Sequence, residues 1–160
     1  MMKGILAALR AFPPSPLVPN KVLDAALGRQ IDALKAEPAL KAALHLWNDD
    51  LHRCHTIAQD LPSADGSYLH GVMHRREPDY GNSKYWFHRV GDHPAFPDVR
   101  TSALEVLPGD LRRAVEKDRA WDPFRMVDWC ERAAGEPQLE AVLRVLQRRE
   151  IEILVALLSK

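Results

Sequence analysis

Residues 64–96 of the chain read ADGSYLHGVMHRREPDYGNSKYWFHRVGDHPAF. This segment holds four of the seven histidines and six of the eleven aromatic residues, interleaved with arginines, a lysine and carboxylates. An amphipathic surface helix separates polar from apolar residues into two faces, whereas interleaving indicates polar groups that point inward. The segment therefore predicts a pair of helices that carries polar side chains into the interior of the fold.

Turn signals divide the segment and the rest of the chain into helices. We predict helices over residues 67–77 and 80–90, separated by a tight turn at Pro78 and ended by Gly91. The other predicted helices cover about 20–36, 38–60, 98–107, 110–118, 123–134 and 138–158. No stretch shows the period-two alternation of a strand. We therefore expect an all-α fold, an irregular bundle of about six or seven helices.

The chain has the length and composition of a single domain. Its 160 residues are enough to bury a core, and 46% of them are hydrophobic. We divide it into a proline-rich N-terminal arm, residues 1–19, and one helical domain, residues 20–160. The last helix ends in ILVALL, residues 153–158, which is apolar on every side. Such a segment is typical of a central helix or of an interface, so a homodimer through the C-terminal helix is one expectation.

Charge and cysteine content narrow the classes of partner. Twenty-two basic and twenty-two acidic residues cancel, so no long-range field attracts nucleic acid or an anionic membrane. No run reaches the ~18 apolar residues of a membrane span, and Arg10 interrupts the N-terminal apolar run. Cys54 and Cys130 are too few for a disulfide framework and fall on apolar stripes. We expect a cytoplasmic protein with reduced, buried thiols and with neither nucleic acid nor a membrane as partner.

His70, His74 and Glu77 are candidates for a metal site. On an ideal helix these three residues fall within an arc of roughly 60°. Histidines four residues apart can share one metal ion, and a carboxylate one turn further on can complete or orient the set. The spacing lacks the internal glutamate of HExxH that would supply a general base. The cofactor is undetermined at this point, and a divalent metal held by the two histidines is one expectation.

The helical wheel also supports a different interpretation. Tyr68 and Val72 lie nearly opposite the two histidines, so on a two-sided surface helix the imidazoles would face water. In the preceding predicted helix, His45, Asp49 and His52 share a line opposite the apolar stripe. We expect these three to be exposed to solvent.

His55 differs from the other histidines of its predicted helix. It borders the apolar stripe, one turn after Leu51, and is therefore the histidine of that helix expected to look inward. If this helix packs against the one over 67–77, His55 comes near His70 or His74.

Basic and aromatic residues around the turn indicate a second kind of site. The arginine fork matches a carboxylate or a phosphate, and aromatic rings can stack on a ligand or cover it. The alternative is that these cations form internal salt bridges with the nearby carboxylates Glu77, Asp79 and Asp92. The residues expected to hold or wall a small anionic ligand are Arg75, Arg76, Lys84, Tyr85 and Trp86.

These residues together predict a site over residues 67–93 that binds a metal ion or a small anionic ligand. Whether the protein is an enzyme is open. For an enzyme, His74 and Glu77 are the candidates for acid–base catalysis, with His55 and His70 as polar lining. The alternative is a helical-hairpin interaction module or homo-oligomer whose polar core is purely structural.

The segment also resembles a single tetratricopeptide-type hairpin in its spacing. The glycine, tyrosine, small residue, large aromatic and small apolar residue of that repeat correspond to Gly71, Tyr80, Ser83, Phe87 and Val90. This resemblance implies that His70 and His74 face the neighbouring helix, which is opposite to the wheel. Ser67 stands where that repeat has tryptophan, and the chain shows no second copy.

The whole segment, residues 64–96, is in addition similar to a segment of uncharacterised bacterial and fungal proteins. The match covers about a fifth of the chain. It implies no activity, and no catalytic residue follows from it.

Overall fold

The computed structural model describes all 160 residues, and the fold is all-α as predicted. Ten α-helices and one short 3₁₀ turn, with no strand, make up the chain. Their number exceeds the six or seven expected. The helices are α1 (Met2–Ala11), α2 (Ala25–Ala33), α3 (Pro38–Trp47), α4 (Leu51–Ala58), α5 (Ala64–Arg76), α6 (Tyr80–Val90), α7 (Phe96–Val106), α8 (Gly109–Lys117), α9 (Pro123–Arg132) and α10 (Pro137–Leu158).

The helix predicted over 38–60 is in fact two helices, α3 and α4. Asp49 adopts a φ of 59°, in the left-handed region that an α-helix cannot contain. The Asp50 carboxylate then accepts a hydrogen bond from the Arg53 backbone N–H at 3.0 Å and caps the new helix. Because the chain changes direction at this break, the side chains of α4 point differently from those of a straight continuation of α3.

The break also makes the expected exposure of His45 and Asp49 wrong. His45 is fully buried and Asp49 is 6% exposed, whereas His52 is exposed as predicted. A single straight helix would have kept the three on one line. Because the chain turns at residue 49, the end of α3 faces the interior and only His52 stays in water.

The N-terminal segment packs against the rest of the chain. Ile5 and Leu9 of α1 are fully buried, and Leu17 of the proline-rich stretch is 5% exposed. The helix predicted from residue 20 begins later, at Ala25. The Asp24 carboxylate caps it by accepting from the Leu27 backbone N–H at 3.0 Å. Local capping chemistry, not apolar periodicity, sets that boundary.

Helix α5 is the central element of the fold. It packs against α3, α4 and α6, and every residue from Gly66 to Arg76 is buried. Helix α6 matches its predicted bounds, and Gly91 ends it with a φ of 67°. Helix α10 packs on α3 and α7 and buries Ile151, Leu154 and Val155. A homodimer through α10 stays a prediction, and none of the ten helices combines the length and apolar character needed to cross a membrane.

Gly71 allows α5 and α6 to approach closely. A Cβ at this position would lie 2.7 Å from Cε2 and 2.8 Å from Cζ of Phe87, whose ring is buried. The Ser83 hydroxyl donates to the Gly71 carbonyl at 2.6 Å across the same contact. The hairpin therefore depends on the missing side chain at residue 71.

We expect Gly71→Ala to lower the free energy of unfolding by about 1–3 kcal/mol, because the added methyl overpacks the Phe87 ring. Gly81→Ala is the matched control. It lies in α6 with no atom within 4 Å of the added Cβ, and alanine should stabilise it by about 0.5–1 kcal/mol. Urea unfolding of both variants checks the pair, and equal stabilities would contradict the close-contact explanation.

Candidate metal centre

Three histidines from two helices meet beside the hairpin. His55 comes from α4, and His70 and His74 come from successive turns of α5. One ligand nitrogen from each lies within 4.8 Å of the other two. The ring centroids of His55 are 5.2 Å from His70 and 5.6 Å from His74. We call these three residues the histidine cluster.

The local structure explains how the cluster assembles. His70 and His74 are four residues apart, so their rings lie one above the other on α5, nearly parallel at 5.7 Å. The break at Asp49 sets the direction of α4, which packs against α5 and brings His55 edge-on to both rings. His70 and His74 are 2% and 7% exposed. The helical-wheel expectation that these two rings face water is therefore wrong.

His70 has one nitrogen occupied and one free. Its Nδ1 lies 3.2 Å from the Gly66 carbonyl oxygen, to which an Nδ1–H donates. Trp86 stacks on the ring at 4.0 Å with an interplanar angle of 12°. A proton fixed on Nδ1 leaves the Nε2 lone pair available, and this backbone support of a ring is usual for metal-binding histidines.

His74 is oriented by residues on both sides of the turn. Its Nδ1 lies 3.3 Å from Oε2 of Glu77, which is the carboxylate support that many metal-bound imidazoles have. Asn82 of α6 places its amide nitrogen 3.4 Å and 3.3 Å from the two ring nitrogens. Glu77 thus lies behind the ring and orients it.

Burial keeps the imidazoles of His70 and His74 neutral. It lowers the pKa of His70 to about 4 from the ordinary value of 6.5. Burial also lowers the pKa of His74, although the neighbouring Glu77 carboxylate acts in the opposite direction. Both rings are therefore unprotonated at neutral pH, which is the form that binds a metal ion.

Arg75 does not reach the histidine cluster as an anion ligand. It is 1% exposed, and its Nη2 donates to Glu150 at 2.7 Å and to Gln147 at 3.2 Å, both on α10. Tyr68 donates to the other oxygen of Glu150 at 2.8 Å. The guanidinium therefore joins the hairpin to α10 and has no solvent-facing edge.

Arg76 is held in the same way on the other side of α5. Its guanidinium donates to Asp49 at 2.5 Å and to the Leu46 carbonyl at 2.8 Å, and it also reaches the carbonyls of Leu17 and Pro16. The internal salt bridges expected for these arginines exist. Their carboxylate partners are Glu150 and Asp49, which are distant in sequence. The neighbouring carboxylates of the segment are not their partners.

The remaining residues of the predicted anion site lie along α6. Lys84 pairs with Asp128 at 2.6 Å, on the side of α9. Tyr85 is exposed, and Trp86 covers His70. Arg89 lies over both rings, 5.9 Å from Tyr85 and 5.5 Å from Trp86. Of the predicted anion-site residues, only Trp86 contacts the histidine cluster.

His93 and the two cysteines are buried outside the histidine cluster. The Nε2 of the buried His93 lies 2.7 Å from the Asp65 carboxylate. Its Nδ1 accepts a hydrogen bond from the Ala95 backbone N–H at 3.1 Å. Both cysteines are free and buried as predicted. Burial raises the pKa of the Cys54 thiol to about 12 and that of Cys130 to about 11, so neither is a thiolate nucleophile at neutral pH.

A cleft of about 560 Å³ lies elsewhere on the surface, beside Tyr80, Cys130 and Pro137. None of its eleven lining residues is a histidine. The cleft and the histidine cluster are thus separate features of the fold.

Two supporting residues were missed by the sequence analysis, Asn82 and the Gly66 carbonyl. Asn82 and His74 are each four residues from Pro78 at the turn, so the hairpin register could have predicted their contact. The Gly66 carbonyl carried no signal, because any residue one turn before His70 supplies one.

Comparisons with protein-family models, curated proteins and solved structures found no match for this chain. The interpretation of the site therefore depends on its geometry alone.

Proposed function

We propose that this protein binds one divalent transition-metal ion through His55, His70 and His74. The observation that carries the proposal is the convergence of three imidazoles to within 4.8 Å, with the far side of His70 held by a backbone carbonyl and that of His74 by a carboxylate. Around a zinc ion with bonds of about 2.0–2.1 Å, imidazole nitrogens lie roughly 3.3 Å apart. Small ring rotations would bring the three to that spacing.

The contacts inside the cluster favour a ligand over a purely structural role. No hydrogen bond joins the three rings, which meet edge-on or in parallel. A structural polar core is normally held together by hydrogen bonds between its members. Here the contacts instead support the Nδ1 edges of His70 and His74, and Asn82 adjoins His74 from α6.

Three neutral donors also imply an open coordination position. Structural zinc sites usually have four protein ligands, whereas three histidines and a water form a catalytic type of site. The ion's two positive charges would remain uncompensated by its ligands, which favours a hydroxide or another anion in the fourth position. A metal in such a site lowers the pKa of bound water and can serve hydrolytic chemistry.

Direct binding measurements test the proposal. Untagged full-length protein, stripped with a chelator, should take up one zinc or cobalt(II) ion per chain by equilibrium dialysis. We expect His55→Ala and His74→Ala to weaken binding by about 100-fold or more, and Glu77→Gln by about tenfold, because it removes only the orienting carboxylate.

His52→Ala is the matched control, since His52 lies on the same helix as His55 but is exposed. Its affinity should equal that of the wild-type protein. The proposal is refuted if the wild-type chain takes up no metal. It is also refuted, in favour of a structural polar core, if the histidine-cluster variants bind metal as well as His52→Ala does. Circular dichroism of each variant separates lost binding from lost folding.

A further inference from the structure

Helix α6 runs antiparallel beside the histidine cluster and adds three side chains to it. Asn82, Trp86 and Arg89 are spaced by four and three residues, so they share one face of α6. The first lies against His74 and the second stacks on His70. The third lies one turn further along the same face.

The Arg89 guanidinium lies over two aromatic rings and has no anionic partner. It is positioned by the rings of Tyr85 and Trp86, at 5.9 Å and 5.5 Å. A cation–π contact does not use the N–H donors of the guanidinium, which remain available to a carboxylate. Arg75 and Arg76, in contrast, are each neutralised by a buried carboxylate.

Two centres of positive charge would therefore flank Trp86. One is the proposed metal ion with its neutral imidazoles, and the other is Arg89. A metal with three neutral ligands favours an anionic oxygen, and the arginine fork matches a carboxylate in a bidentate pair. A ligand with two acidic groups would offer one to each centre.

We propose that the open position of the metal site takes a small dicarboxylate, with one carboxylate on the metal and the other on Arg89. This inference rests on the proposed function, because it requires the metal. The anion-binding arginine in this proposal is Arg89. Arg75 and Arg76 cannot take that role because they form internal ion pairs. Trp86 separates the two carboxylate positions, and Asn82 lies beside the metal position.

Cobalt(II)-loaded full-length protein allows the test, because its visible spectrum reports a change of the inner coordination sphere. Succinate, acetate and inorganic phosphate are titrated separately at constant ionic strength. We expect succinate to bind about tenfold or more tightly than acetate, which reaches only the metal. Arg89→Gln should remove this advantage while changing acetate affinity less than about threefold.

Arg119→Gln is the matched control, because Arg119 is also exposed, is not part of the histidine cluster, and loses the same charge on substitution. It should leave the succinate advantage intact. Cobalt content is measured before and after each titration. A chain that binds no cobalt refutes the proposed function itself.

A chain that binds cobalt, but for which succinate equals acetate or Arg89→Gln equals Arg119→Gln, overturns the role of Arg89. Arg89-dependent binding of phosphate in preference to succinate overturns the assignment to a dicarboxylate.

Discussion

Replacing Glu150 with glutamine is expected to lower the free energy of unfolding by about 3–5 kcal/mol. The Glu150 side chain is 1% exposed and accepts hydrogen bonds from Arg75 at 2.7 Å and Tyr68 at 2.8 Å. Glutamine keeps the shape but removes the charge, so the Arg75 guanidinium is left buried without a counterion. Equilibrium unfolding in urea measures the loss.

Glu152→Gln on the same helix is the control for this prediction. Its carboxylate pairs with Arg148 in a partly exposed i,i+4 contact, where an ion pair contributes at most about 1 kcal/mol. A loss for Glu150→Gln that does not exceed that of Glu152→Gln would contradict the argument.

A second variant separates the cost of an unpaired charge from the value of the pair. Replacing both partners, as Arg75→Met with Glu150→Leu, removes the uncompensated charge together with its counterion. The double variant should be more stable than Glu150→Gln, because apolar residues of similar volume can substitute for a buried pair. Tyr68 then loses its acceptor, so full recovery is not expected.

Zinc is expected to raise the free energy of unfolding by about 4 kcal/mol at pH 7.5, when free zinc is 1,000 times its dissociation constant. The reason is that the histidine cluster exists only in the folded chain. His74→Ala should lose this stabilisation, and His52→Ala should keep it. Urea unfolding with and without zinc provides the measurement, and zinc that stabilises all three proteins equally would contradict binding at the cluster.

Acid should remove both the zinc effect and part of the intrinsic stability. The pKa of His70 is about 4 in the folded chain and near its ordinary value of 6.5 when unfolded. Between these values the unfolded state binds a proton that the folded state does not, so stability falls as pH decreases from 6.5 to 4. At about 1.4 kcal/mol per pKa unit, we expect this difference to remove roughly 3 kcal/mol of stability from the metal-free protein.

The acid effect has its own control. His70→Gln should show a shallower loss of stability over this pH window than the wild-type protein, because the titrating ring is absent. A wild-type curve with the same slope as that variant would contradict the assignment. Near pH 4, where His70 takes up a proton in the folded chain, zinc should stabilise the protein far less than at pH 7.5.

Local signals in the sequence predicted most of the helical hairpin. Pro78 in the turn and Gly91 after α6 act through the backbone of their own neighbourhood, so the α6 bounds were found. The split between α3 and α4 was missed. It depends on a left-handed Asp49, which the apolar stripe running through that position concealed.

The candidate site was predictable in part for the same reason. The spacing of His70 and His74 follows from helical geometry, and the apolar border around His55 indicated that it looks inward. The partners of Arg75 and Arg76 were not predictable, since the sequence offered nearer carboxylates. Those nearer groups lie at the exposed turn, whereas a buried guanidinium must find its counterion where the packed helices place one.

The sequence by itself determined the all-α class, the hairpin and the shared face of His70 and His74, because these depend on backbone hydrogen bonds and sterics within a few residues. Only the tertiary structure decided that His55 joins them and that Arg75 pairs with Glu150, 75 residues away. Such contacts arise from the direction in which separate helices pack, and burial then makes each pairing of charge obligatory.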